Sequence, residues 1–100
     1  MAWANQHIKN LVNGGSVQFR PHGDSMTGKI NSGQLCTVEP VTQDTNLNVG
    51  DVVLCKVKGS QYLHFIKSIQ ARRYQIGNNH GRINGWIDRK FIFGILTCVE

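Results

Sequence analysis

No stretch of this chain stays apolar for the roughly 18 residues a membrane-spanning helix needs. The opening residues Met1-Ala2-Trp3-Ala4-Asn5-Gln6-His7 lack the basic start and apolar centre of a secretory signal. The protein is therefore expected to be soluble and cytoplasmic, with no membrane partner. Cysteine is sparse and odd in number. Cys36, Cys55 and Cys98 show no close Cys/His spacing, which argues against a zinc site and for reduced thiols in apolar, strand-like surroundings. Charge is scarce too, at 17% of residues, which is inconsistent with wholesale disorder when 40% are apolar. The formal excess of +5 is scattered, with only Arg72-Arg73 and Arg89-Lys90 adjacent, so there is no basic tail for nucleic acid. Repeats and low-complexity segments are absent, and no cofactor or metal is expected.

What is present fits one small domain of 100 residues. Residues 2–13 are expected to form a short helix with Trp3, Ile8, Leu11 and Val12 on one face, docked on the body of the domain. Asn13-Gly14-Gly15 stops it. Residues 1–15 are thus a helix and turn, and residues 16–100 a β domain. Short strands are expected at Val17 to Arg20, Leu35 to Val38, Asp51 to Val57, Tyr62 to Ile69, Tyr74 to Ile76, Trp86-Ile87 and Phe91 to Val99. Pro21, Pro40, Ser32-Gly33, Gly59-Ser60 and Ala71-Arg72-Arg73 mark ends and turns between them, and the polar run from Gln43 to Gly50 is a surface loop. Many short strands with glycine-rich turns and one helix indicate a mostly β, folded and barrel-like sheet.

The stretch with most chemical content is His22-Gly23-Asp24-Ser25-Met26, after the first strand. Read alone, Ser25 is a turn serine, the commonest role for such a residue. A partner changes that reading. In strand alternation Leu63, Phe65, Lys67 and Ile69 share one face, so Lys67 interrupts an apolar row, while Tyr62, His64 and Ser68 fall on the other. Burial penalises a charged amine, and a lysine held neutral can take the proton of a serine nucleophile. Lys29, four residues after Ser25, is expected to be exposed. His22, His64 and His80 are alternative bases, but no carboxylate is obviously placed to orient any of them, so each is read as a surface or packing histidine. Asp24 is expected to set the turn by bonding backbone N–H groups. Arg72, Arg73, Arg82, Arg89 and Lys90, with Tyr74, form a solvated rim around a core Trp86 rather than a nucleic-acid surface.

The order of parts resembles the Ser–Lys peptidase superfamily of LexA-type repressors, UmuD-like proteins and type I signal peptidases. The Gly-Asp-Ser-Met turn, Ile30 to Gly33, the Gly50-Asp51-Val52-Val53 strand start, the strand lysine, Ile76-Gly77-Asn78-Asn79 and Ile92-Phe93-Gly94-Ile95-Leu96 carry the likeness over roughly residues 17–99. The resemblance implies Ser25 as nucleophile, Lys67 as general base, the Ser25 backbone N–H in an oxyanion hole, Met26 packed beneath the serine, and Asn78-Asn79 shaping the nearby loop. The chain is expected to stand alone, without the repressors' DNA-binding domain or the signal peptidases' anchor; no Ala-Gly or Cys-Gly pair precedes Ser25 for self-cleavage, and Thr27-Gly28 replaces the proline usual after the Ser-Met pair.

Two functions are expected on this basis. One is a stand-alone, phage- or mobile-element-type peptidase cutting a peptide or protein in trans. The other is a non-catalytic module that dimerises, or binds and inhibits a LexA-like repressor, through the apolar strand Phe91 to Val99 should it lie at a sheet edge.

Overall fold

The computed structural model describes residues 3–100. Met1 and Ala2, and with them the first residues of the expected helix and of the 1–15 unit, lie outside the described residues. Helix α1 (Asn5–Val12) is followed by strands β1 (Val17–Phe19), β2 (Cys36–Pro40), β3 (Val52–Val57), β4 (Ser60–Gln70), β5 (Arg73–Gly77), β6 (Ile83–Asp88) and β7 (Ile92–Val99), with a short 3-10 turn at Arg89–Phe91 before the last. The strands form one antiparallel sheet in the order β1-β2-β7-β3-β4-β5-β6. It is folded, with β6 lying back against β3, but β1 and β6 are not joined to each other, so the sheet is open rather than a closed barrel.

Folding covers both sheet faces. One apolar cluster takes in Leu11 of α1, Val17, Met26, Ile30, Val38, Leu54 and Leu63, and a second takes in Val53, Cys55, Ile66, Ile76, Ile87 and Ile92. Strand β3 feeds alternate residues into each, which is why Val52 to Cys55 read as a continuous apolar run. β3 and β4 are joined by a two-residue hairpin in which Lys58 (φ 51°) and Gly59 (φ 82°) both adopt the left-handed conformation that matches strand twist.

Helix α1 closes with Gly15 N–H on the Asn10 carbonyl, while Gly14 (φ 91°) takes the left-handed conformation that ends helices. Its start has no cap of its own. Gln61 of β4 supplies one, its Oε1 accepting from Ala4 N–H at 2.7 Å while its Nε2 donates to Asn5 Oδ1 at 2.6 Å. Leu11 is buried as expected, but Val12 points outward, 68% exposed.

Three other expectations are corrected. Strand β7 lies inside the sheet between β2 and β3, so its backbone is paired on both sides and it is not a sheet edge, while Phe91 before it stays exposed. Cys98 is exposed while Cys36 and Cys55 are buried, so only two of the thiols are core groups. Burial pushes the Cys55 thiol up to about 12, which makes it inert. Trp86 is 37% exposed on edge strand β6. Of the basic residues, Arg72, Arg73, Arg82 and Lys90 are exposed, as expected of a rim; Arg73 pairs with Asp88 at 3.3 Å and Arg89 donates to the carbonyls of Thr42 and Thr45.

The alternation expected along β4 breaks at Lys67. Ile66 pairs with Ile76 and Ser68 with Gln75, leaving Lys67 as the extra residue of a β-bulge. Before the bulge Leu63 and Phe65 pack on the first cluster. After it, Ile69 joins Ile66 and Tyr62 on the second. One inserted residue exchanges the faces, so Lys67 does not continue a single apolar row.

Candidate active site

The turn after β1 presents Ser25 to solvent while sinking its neighbour Met26 into the first cluster. Gly23 (φ 119°) supplies a backbone conformation that side chains resist, and its N–H is held by Ser32 Oγ at 3.2 Å. Asp24 sets the turn through its main chain. Its carbonyl accepts from Thr27 N–H (3.2 Å) and Oγ1–H (2.9 Å), and from His80 Nε2–H at 2.8 Å. The β5–β6 loop clamps the turn from the other side, with Asn79 N–H on the Ser25 carbonyl and Asn79 Nδ2–H on the Thr27 carbonyl, both at 2.9 Å. Asn79 therefore positions the serine across a long gap in sequence. The amide N–H of Ser25 itself makes no hydrogen bond among the described residues.

The structure pairs Ser25 with His64 rather than with Lys67. Ser25 Oγ lies 3.1 Å from His64 Nε2, and His64 Nδ1 lies 2.7 Å from Asn84 Oδ1. An amide oxygen only accepts, so Nδ1 carries the proton and Nε2 presents its lone pair to the serine hydroxyl. This is the tautomer a general base needs. Only 6% of His64 is exposed. Burial holds its pKa below the ordinary 6.5; the bond to Asn84 opposes that shift and the positive charge of Lys67 adds to it. The ring is neutral at neutral pH, and Tyr62 lies beside it with ring centroids 4.8 Å apart.

Lys67 takes a different place. It is half-buried at the bulge of β4, its Nζ stands 5.1 Å from the centroid of the Phe65 ring, and no hydrogen bond joins it to Ser25 among the described residues. Lys29 and His22 are exposed. His80, also exposed, holds the turn rather than the serine hydroxyl.

Asn84 was not marked by the sequence as a site residue. It is the extra residue of a second bulge, Ile76 pairing with Gly85 and Gly77 with Ile83, which aims its side chain at His64. Gly85 (φ 147°) completes that bulge, and a Cβ there would meet Val57 Cγ1 at 3.1 Å. The available signal was an Asn-Gly pair inside a strand pattern, a mark of a bulge or of close backbone approach.

A pocket of about 430 Å³ opens beside Ser25 and His64, walled by the β1 end, the serine turn, the start of α1 and β4. Among the described residues no cluster of three His, Cys, Asp or Glu side chains is arranged to hold a metal. No helix of the described residues is long and apolar enough to cross a membrane. Comparison with family models, with curated proteins and with solved structures finds no match.

Proposed function

We propose that the protein is a serine hydrolase acting on a peptide bond in trans, with Ser25 as nucleophile, His64 as general base and Asn84 orienting the imidazole. The observation that carries this reading is the relay from Ser25 Oγ through His64 to Asn84 Oδ1, at 3.1 and 2.7 Å, at the mouth of a pocket. Ser25 Oγ attacks the carbonyl carbon as its proton passes to His64 Nε2. The imidazolium then returns that proton to the leaving amine, and a water activated by the same nitrogen frees the acyl group. The unengaged N–H of Ser25 donates to the developing oxyanion. A peptide suits the site because β1 is an edge strand that leads directly into the serine turn, offering backbone groups to an extended chain.

The order of parts shared with LexA-type and signal peptidase domains supports the same reading, with the base moved from Lys67 to His64 and both on β4. The test is covalent labelling. Incubation with a fluorophosphonate should add one adduct, mapped to Ser25 by mass spectrometry and lost in Ser25→Ala. A folded protein that resists labelling throughout the neutral and alkaline range rejects the hydrolase reading.

A further inference from the structure

We propose that the pocket beside Ser25 takes a large apolar or aromatic side chain of the substrate, at a position adjoining the bond attacked. The inference rests on the hydrolase reading and names its substrate class. It departs from the small residue at which the repressors this chain resembles cut themselves.

Three observations carry it. The first is size: about 430 Å³ is the scale of a small-ligand cavity, roughly 300–1,000 Å³, and a methyl group would leave most of it empty, forfeiting dispersion contacts with its walls. The second is lining. Met26, Ile30 and Leu63 supply apolar walls, and Trp3, His7 and Phe19 an aromatic one. Phe19 stacks on His7 with centroids 4.6 Å apart and meets Trp3 edge-on at 5.5 Å, so the three rings form one rigid surface. Among the described residues no carboxylate lines the pocket, so a lysine or arginine side chain would enter it unpaired.

The third is how the wall is held. Trp3 remains 46% exposed although its Nε1–H is fixed on the Gln61 carbonyl at 3.2 Å. The side chain of the same Gln61 ties down the start of α1. Gln61 stands on β4 three residues before His64, so the aromatic wall and the base share one scaffold. An indole held in place but left half in water beside a reactive serine is a surface prepared for a ligand.

The experiment separates this inference from the reading beneath it. Acetylated tetrapeptide amides with Phe, Leu, Ala or Lys at one position are titrated against Ser25→Ala protein carrying Trp86→Phe, so that the fluorescence of Trp3 reports occupancy without any chemistry. Phe and Leu peptides should bind about tenfold or more tighter than the Ala peptide, the range expected for adding methylenes to an apolar pocket, with the Lys peptide weakest. Phe19→Ala should erase the preference, and Phe19→Leu, which keeps the wall apolar, should retain most of it. Fluorophosphonate labelling, measured separately on protein with Ser25 and Phe19 intact, reports the hydrolase reading. Labelling with equal affinity for all four peptides overturns the pocket inference and leaves the hydrolase standing. Preference without labelling removes the hydrolase and leaves a peptide-binding pocket.

Discussion

Replacing His64 and Lys67 separately distinguishes the base proposed from the hydrogen bond to Ser25 from the one expected from the strand pattern. A positioned general base contributes about 10²–10⁴ in rate, so His64→Ala should slow labelling of Ser25 and peptide cleavage by that factor, about 3–5 kcal/mol of barrier. Adding Ser25→Ala should cost little more, because the two groups act in one step. Lys67→Met keeps the stem and removes the charge. Since that charge helps to hold the His64 pKa down, the acid limb of the rate profile should move to higher pH, while the plateau above it stays at the wild-type level. The assay is the second-order rate of labelling across pH, with a thermal melt of each variant confirming that it is folded. In the wild type the rate should rise through one ionisation below 6.5, where burial places His64, and stay flat beyond. Loss of the plateau in Lys67→Met, with retention in folded His64→Ala, would return the base to Lys67 and refute the assignment.

Two further outcomes follow from packing and linkage. Gly94→Ala should destabilise the protein by about 1–3 kcal/mol, read from the urea midpoint, because its Cβ would sit 2.5 Å from Val38 Cγ1 and 2.9 Å from Leu11 Cδ1, wedged between the helix and the sheet. A denaturation midpoint equal to wild type would show that α1 does not rest on β7 there. His64 also makes stability depend on pH. Its folded pKa lies below the unfolded 6.5, so the stabilising contribution is full above 6.5 and is lost as pH falls from there through the folded value; the unfolded chain binds the proton first. Melting temperature followed downward from neutral pH should decline in the wild type and decline less in His64→Gln; identical slopes would contradict the buried neutral imidazole.

Most of the fold could be read from residue patterns because it rests on local chemistry. The seven strands lie close to where alternation and continuous apolar runs place them; one hairpin turns at Ala71-Arg72 as expected, the other at Lys58-Gly59, one residue before the expected Gly59-Ser60. The serine turn was legible for the same reason, since Gly23 and the buried Met26 act within a few residues of Ser25. What could not be read is strand order. A terminal apolar strand looks identical whether it ends at an edge or is enclosed, and here the enclosure of β7 by β2 and β3 depends on contacts far apart in the chain. The clamp of Asn79 on the Ser25 carbonyl is illegible on the same ground, although the loop that carries it was expected near the site.

The side-chain faces expected along β4 were changed by one bulge, and a second bulge brings His64 its partner. Alternation assigns faces on the assumption that each residue of one strand opposes one residue of its neighbour. Beside the site two residues break it, Lys67 in β4 and Asn84 in β6, each the surplus member of a bulge against β5. Without the first, Ile69 would stay in register with Lys67 and Phe65, and the lysine would complete an apolar row. With it, Ile69 turns to the other cluster and Lys67 is left half-exposed against Phe65. His64 stands before that bulge, on a face that the folded sheet covers, so a polar residue on an expected solvent face becomes a buried one in need of partners. The second bulge provides one by turning Asn84 onto Nδ1, and the serine turn provides the other at Nε2. A buried histidine with both nitrogens engaged could be structural alone. It is chemically different here because one of those bonds ends on a solvent-exposed hydroxyl at the mouth of a pocket, where the proton it can accept belongs to a group free to react.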